Sequence, residues 1–561
     1  MKNNTFFAID SLIPRTFEIG RRFPYSRESF IKDLLAGVTV GIVALPLAMA
    51  FSIAAGASPA QGLYTAIFAG FFISFLGGSR YQIGGPTGAF VVIIFGVISR
   101  HGMEGLVLAT ILAGLMLVLM GISGLGRLIK FIPYPVTTGF TTGIGLLIFS
   151  QQVKDFLGLS IEKVSPEFFE KWVQYVEHIG TFDLKTFMVG LGTILIIILV
   201  RRFFPRIPAS VAGVAVATLV CFIGKLPVET IGSRFGGIPS SLPTPIFPGF
   251  HWSTLKAVFP DAITIALLAA IESLLSAVVA DGMTGDRHNA NMELVAQGIG
   301  NIASAIFGGI PATGAIARTA TNIKSGAQSP LAGMIHAITL LLFMLFLAPL
   351  ASVIPLASLS AVLMVVAWDM SELHRFLRII RKSPRSDMLV LLTTFVLTVL
   401  IDLTVAVEVG VVLAAFLFLR RMVETAEIKP GAAGVGAEIV YGSIKDSPHE
   451  QPEHPKNVEI YEITGPFFFG VADMLQDTLM TLEKKPRAFI LRLPQVPAID
   501  STGIAALESF LTYCRKHNIK LYLSEVREQP RKAMERSGFI ELLGAEYLVS
   551  SPEEALEALK R

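Results

Sequence analysis

Two stretches decide the fold: IGGPTGAFVVIIF (83–95) and GGIPATGAIARTATNI (308–323). Each begins with glycine, proline and threonine, runs on as helix formers, and lies among long apolar segments. They read as two half-helices, at 86–99 and 312–325, whose N-termini face each other and form the floor of an anion site. The first N–H groups of a helix lack partners, and the helix dipole adds about half a positive charge there. An anion between two such ends is held without a full buried cation. Gly84, Gly85, Gly88 and Gly314 let the backbone approach closely, Pro86 and Pro311 suit first-turn positions, and Thr87 and Thr313 offer hydroxyls. Ordinary packing is the competing account, because small residues are common where membrane helices touch.

The surroundings support membrane depth. The chain has 561 residues, 52% of them hydrophobic and 16% charged, and its mean hydropathy is +0.64. A water-soluble globule could not cover that much apolar surface, so a polytopic membrane protein is implied. Charge is unevenly spread: nearly uncharged runs fill 34–423, a linker follows at 424–454, and 455–561 is charge-rich. The basic stretch at 1–33 precedes an apolar run that begins too far in and is too long for a cleaved signal peptide, and it reads as a cytoplasmic lead-in. The two cysteines, Cys221 and Cys514, fall in different domains and imply neither a disulfide framework nor a metal site.

Fourteen apolar segments can be marked, some of them short. They lie at 34–55, 62–77, 86–99, 104–124, 131–152, 182–203 and 208–224, then at 259–280, 292–308, 312–325, 329–350, 355–369, 386–403 and 405–421. Arg80, Arg127, Lys130, Arg201, Arg202, Arg206, Arg287, Lys324 and the run from Arg375 to Arg385 fall in alternate connections. That is the positive-inside pattern, with both termini cytoplasmic. The segments at 86–99 and 312–325 would cover only roughly 20 Å of a core about 30 Å thick. Short paired segments in corresponding halves point to a transporter binding site. Pro86 and Pro311 stand 225 residues apart, and Pro46 and Glu272 stand 226 apart. With seven segments per half, the second half would be inverted, giving a 7+7 repeat.

Two charged residues stand out within the apolar sequence. Arg318 lies five residues past Thr313, where a charge is costly and is a functional hypothesis by default. Glu272, with Ser273 and Ser276 beside it, suits a group that carries a proton or coordinates sodium. A structural Glu272–Arg318 ion pair is the alternative. Asp281, Asp286, Arg287 and His288 read as solvated loop charges, and Asp402 carries no assigned role.

PLAMAFSIAAGASPAQGLYTA (46–66), GGPTGAF and FGGIPATGAIARTATNIKSGAQSPLAG (307–333) resemble the sulfate permease (SulP) family of anion transporters over essentially the whole chain. The resemblance implies a core domain that holds the half-helices and moves against a gate domain in the cell inner membrane, often as a homodimer. It places the substrate at Thr87, Gly88 and Ala89 of the third segment and at Thr313, Gly314, Ala315 and Arg318 of the tenth. Glu272 and Ser276 of the eighth would hold the coupling ion, a proton or sodium, with no other cofactor. Leu47 stands where many sulfate carriers of the family have glutamine, and Glu272 and Ser273 stand where sodium-coupled bicarbonate carriers have Asp and Thr. AIESLLSAVVADGMTG (270–285) and VAWDMSE (366–372) look closest to enterobacterial dicarboxylate carriers, which tilts the reading toward proton symport of succinate-like or inorganic anions.

The charge-rich C-terminal part alternates strand and helix: VEIYEIT (458–464), a helix at 474–482, AFILRL (488–493), a helix after Asp500, then IKLYLSEV (519–526) and a helix at 529–537. It resembles a STAS domain through Asp500, Ser501, Thr502 and Gly503. Related regulatory proteins are phosphorylated at this turn, which marks Ser501 and Thr502 as candidates and allows a cytoplasmic partner. The simpler reading is a helix cap. An uncoupled channel or exchanger and a membrane-tethered signalling protein are the rival functions. With no catalytic triad, metal-ligand cluster or Walker loop in the sequence, an enzyme is not expected, nor is a nucleic-acid partner.

Overall fold

In the computed structural model the apolar runs become helices whose ends are set by polar and small residues. Ser26 caps α1 (Arg27–Ala54), its Oγ accepting from the Ser29 N–H at 3.2 Å. Gln61 Oε1 accepts from the Ser58 N–H at 2.8 Å and secures the start of α2 (Pro59–Leu76). The structure describes residues 12–20, 25–127, 133–162, 164–205, 207–246, 249, 251–401, 403–424, 427–430, 457–468 and 486–560. Lys130, Arg206, Asp402, most of the 424–454 linker and the helix expected at 474–482 lie outside them. The chain divides into two units, Met1–Ala414 and Ala415–Arg561.

In the first unit, α2 leads to a two-residue strand β1 (Gly84–Gly85) and then to α3 (Gly88–Ile122). Gly102, at φ 67° and ψ −171°, interrupts α3 and separates a short helix from a longer one. Next come α4 (Tyr134–Leu157), α5 (Phe168–Glu177), α6 (Leu184–Phe203), α7 (Ala209–Ile223) and α8 (Ile231–Phe235). The second half holds α9 (Trp252–Thr284), α10 (Ala290–Ile306), β2 (Thr313–Gly314), α11 (Ile316–Lys324), α12 (Leu331–Ser352) and α13 (Leu356–Met370). It ends with α14 (Leu373–Lys382), α15 (Arg385–Leu400) and α16 (Leu403–Glu424). All fourteen marked segments therefore fall on helices, with α3 supplying two of them. Among the described residues, seven helices are long and apolar enough to cross a membrane by length and composition. Leu199, Phe222 and Phe346 are exposed on the outside of the bundle, which suits a lipid environment.

Helices α5, α8 and α14 were not among the expected segments. The α14 sequence LHRFLRIIRK reads as a basic connection, yet it buries Phe376 and Ile379 three residues apart. The helix-to-helix packing repeats when the halves are exchanged. α1 packs on α12 as α9 packs on α3, α2 on α12 as α10 on α3, and α6 on α13 as α15 on α4, while α4 and α13 meet each other. This correspondence between the halves is what an inverted repeat requires.

The second unit contains a five-stranded sheet in the order β3 (Glu427–Pro430), β4 (Val458–Thr464), β5 (Ala488–Gln495), β6 (Lys520–Ser524) and β7 (Leu548–Val549). Only the β3–β4 pairing is antiparallel. Its helices are α17 (Ser501–Lys516), α18 (Glu528–Arg536), α19 (Phe539–Leu543) and α20 (Pro552–Lys560). Strand alternation sends Phe489 and Leu491 to a cluster with Phe510 and Cys514 of α17, and Ala488 and Ile490 to one with Ala555 and Leu559 of α20.

Candidate anion site

The two glycine–proline breaks do not simply face each other. Gly84 pairs antiparallel with Gly314, and Gly85 with Thr313, so the breaks join in one short ladder. Beyond it, α3 begins at Gly88 with Thr87 as its N-cap, and α11 begins at Ile316 with Ala315 as its N-cap. Thr313 and Gly314 thus lie in the ladder rather than in a first turn, and Pro86 and Pro311 precede the helices. The cause is backbone satisfaction: extended segments at this depth must pair, and here they pair with each other. Neither Thr87 nor Ala315 caps its helix with a side-chain hydrogen bond, which leaves both N-terminal ends as donors.

Arg318 is 3% exposed and lies against the ladder. One guanidinium nitrogen, Nη2, donates to the Pro86 carbonyl, whereas Nη1 is buried without a hydrogen-bond partner. Gly85, at φ 148°, makes this approach possible, since a Cβ there would stand 2.6 Å from Nη1. Among the described residues Arg318 has no carboxylate within 4.0 Å, so a direct ion pair with Glu272 is not formed. Glu272 instead accepts from the Thr87 hydroxyl at 3.0 Å. It retains partial exposure between the buried residues Ile271 and Ser273. A partly accessible carboxylate, an arginine with an unused donor and the start of α3 therefore meet at Thr87.

Other expected ligands are differently engaged. The Thr313 hydroxyl donates to the Ala269 carbonyl at 3.1 Å. Ser276 is buried, and its hydroxyl donates to Thr319 Oγ1 at 3.2 Å, which in turn accepts from the Ile83 N–H at 3.1 Å. Ser276 therefore ties α9 to α11 and the ladder, and its hydroxyl is engaged away from Glu272. Gly88 and Ala89 are buried, and Gly88 packs closely against neighbouring helices: a Cβ there would meet Met370 Sδ of α13 at 2.8 Å and Ile148 Cδ1 of α4 at 3.0 Å. Ser501 and Thr502 are exposed at the start of α17, while Asp500 Oδ1 accepts from the Gly503 N–H at 2.8 Å as the cap.

Several supporting residues carried no expectation. Gln82 donates through Nε2 to Ser273 Oγ at 2.8 Å and occupies the space beside Gly314. Asn301 brackets Ala312, donating to its carbonyl and accepting from its N–H, both at 2.9 Å. Thr65 accepts from the Ile310 N–H at 2.7 Å. Glu293 accepts from the N–H groups of Gly78 and Ser79 at 2.9 and 3.0 Å, and from Gln297 Nε2 at 3.1 Å. A signal for the α10 group was present: Glu293, Gln297 and Asn301 recur every fourth residue and form one polar stripe. Among the described residues, no three His, Cys, Asp or Glu side chains converge as metal ligands do.

Comparison with known proteins places this geometry. The model of the sulfate permease family matches residues 30–394, and that of the STAS domain matches 451–555. "Putative sulfate transporter YvdB" of Bacillus subtilis is 42% identical over 545 residues, covering 95% of this chain and 99% of that one. "Bicarbonate transporter BicA" of Picosynechococcus is 30% identical, covering 94% of each chain. The solved transmembrane domain of a cyanobacterial BicA shares 30% identity at a TM-score of 0.62, over 70% of this chain and 98% of that one. The murine Slc26a9 anion transporter, in its inward-facing state, shares the fold at a TM-score of 0.85 with 18% identity, covering 100% of this chain and 96% of that one. With a helical membrane unit built around crossed half-helices and an α/β STAS unit after it, the chain belongs to the sulfate permease family of anion transporters.

Proposed function

We propose that the protein is a secondary transporter of sulfate or bicarbonate that works by alternating access. The single observation that carries this reading is Arg318: a buried guanidinium with no carboxylate partner and one unused N–H-bearing nitrogen, set beside two open helix N-termini. Such a cluster of donors favours an anion and has no evident structural need. In this reading the anion binds at Thr87, Gly88 and Ala89 of the α3 start and at Ala315 of the α11 start, with Arg318 supplementing the field. The backbone of Thr313 and Gly314 forms the floor. The sulfate and bicarbonate transporters among its relatives favour sulfate or bicarbonate over the dicarboxylates suggested by local sequence.

Glu272 couples the cycle to a proton or a sodium ion. Its carboxylate has one hydroxyl donor and no ion pair, and it stays partly accessible. A charge so placed is stabilised when it takes up a cation. The distribution of basic residues supports a cytoplasmic side for both termini. Uptake of labelled sulfate, bicarbonate and succinate into proteoliposomes, under imposed proton or sodium gradients, tests the reading. Accumulation of one of the first two above equilibrium under one gradient is the expected result. Flux that equilibrates without responding to either gradient would show an uncoupled pathway.

A further inference from the structure

Helix α5 is built the wrong way round for a water-exposed connection. Its apolar residues Phe169, Val173 and Val176 are 66%, 55% and 71% exposed, whereas Lys171 is 3% exposed. Lys171 and Tyr175 are the buried positions of this helix, one turn apart on one face. The Tyr175 hydroxyl donates to the Ser150 carbonyl at 3.0 Å, pinning α5 to α4 and holding the lysine inward. A lysine near a membrane surface normally extends its amine toward water. Here the amine lies 6.0 Å from the centre of the Phe95 ring, and among the described residues it forms no ion pair or hydrogen bond.

Lys171 lines a cavity of about 560 Å³ between α3, α4, α5, α9 and α15, together with Arg100, Gln151, Glu167, Asp261 and Thr264. The other charges there have explanations. Asp261 holds Arg100 at 2.7 Å and faces His101 at 3.4 Å, and the exposed Glu167, at the N-cap of α5, forms no ion pair with Lys171 within 4.0 Å. Lys171 alone among these cations lacks a counter-charge. A smaller space of about 20 Å³, bordered by Ile93, Thr264, Leu268, Ile271 and Glu408, shares Ile93 and Thr264 with the cavity and runs along α9 toward Glu272. Thr264 and Glu272 are eight residues apart on α9, which is roughly 12 Å of helix. A narrow constriction, mostly apolar but bordered by Glu408, thus separates the cavity from the half-helix site.

We propose that Lys171 holds a small inorganic oxyanion in this vestibule, forming a second anion site on the path to the half-helix site. It rests on the transport reading above. The buried ammonium gains the counter-charge that the protein does not supply, and Gln151 offers an amide to the same space. An anion held there raises the local substrate concentration at the constriction, where α3 and α9 meet α4, α5 and α15.

The test uses the full-length protein and two readouts. In the first, Lys171 is labelled with an anionic N-hydroxysuccinimide ester and quantified by mass spectrometry, with sulfate or bicarbonate against gluconate at equal ionic strength. Labelling should slow about tenfold at saturating oxyanion, as one charge-assisted contact commands, and should slow equally in Arg318→Ala, whose central site is weakened. In the second, Lys171→Gln should raise the half-saturating sulfate or bicarbonate concentration for uptake by about tenfold with little change in maximal rate, and Lys171→Arg should restore it. Labelling indifferent to both anions, protection that vanishes in Arg318→Ala, or an unchanged half-saturation in folded Lys171→Gln would each overturn the site. If Lys171→Gln does not fold, the labelling of the wild-type chain decides. Protection in a protein that carries no tested anion would sink the transport reading and leave the vestibule site standing.

Discussion

At the residue scale, the proposed roles of Arg318 in anion binding and Glu272 in coupling can be measured separately. Glutamine at 272 keeps an acceptor for the Thr87 hydroxyl while removing the titratable charge. Glu272→Gln should therefore fold and exchange anions across equal gradients, but lose uphill accumulation in proteoliposomes; retained gradient-driven uptake would exclude Glu272 from coupling. Arg318→Ala removes a charged donor from a buried site, where such a bond contributes about 1.5–3 kcal/mol. Half-saturating anion concentrations should rise by about one to two orders of magnitude. Lys171 adds a pH dependence with a definite sign. Burial pushes its ammonium down to about 8, so the charge is present below that pH and is lost as pH rises through it. Wild-type half-saturation on the vestibule side should therefore worsen between about pH 7 and pH 9, while Lys171→Arg should stay flat because guanidinium remains charged. Arg100, His101, Asp261 and Glu167 share or border the cavity, and the arginine substitution leaves them all in place.

At the element scale, the ladder between Gly84–Gly85 and Thr313–Gly314 is the joint of the membrane unit. A side chain at Gly314 would overlap the Gln82 amide. Gly314→Ala should lower stability by about 1–3 kcal/mol, the usual range for overpacking, read as an earlier thermal transition. If the clash is the cause, Gln82→Ala added to it should recover part of the loss, and strictly additive effects would refute that explanation. The ladder also shows what was legible beforehand. Long helices were readable because apolar runs of sufficient length have few other fates at membrane depth, and the paired motifs were readable because glycine and proline punctuate them. Two-residue strands have no periodicity, so the joining of the motifs and the displacement of Thr313 from a helix turn were not. Helix α5 was hidden for a related reason: its inward lysine and outward valines invert the pattern by which an amphipathic helix is recognised. In the STAS unit, Phe489 and Ile490 point to opposite faces as strand alternation requires, and the cap by Asp500 follows from its residue type.

At the scale of the whole molecule, the matched packing of the two halves is what the proposed alternating access would need for one anion site to serve two faces. Because α1 on α12 and α9 on α3 are counterparts, the two half-helices are held in corresponding packing frames on either side of the ladder. The soluble unit stands outside that symmetry, with its own core around Phe489, Phe510, Cys514 and Met534. Truncation after Glu424 should accordingly leave gradient-driven uptake measurable, and complete loss with the membrane unit still folded would favour a signalling or obligatory regulatory role. The soluble unit itself provides a sharper test. Strand β3, the first element after α16, covers the edge of β4 by antiparallel pairing from Glu427 to Pro430. A fragment of residues 427–561 keeps that edge strand, whereas 457–561 leaves β4 unpaired on one side. Unpaired edges expose backbone donors and acceptors that invite association. The shorter fragment should therefore melt several degrees lower and self-associate in sedimentation, while Cys514 in the longer one resists thiol reagents because burial pushes its thiol up to about 12. Equal melting and equal Cys514 reactivity in the two fragments would show that β3 only follows the membrane unit and is not part of the STAS fold.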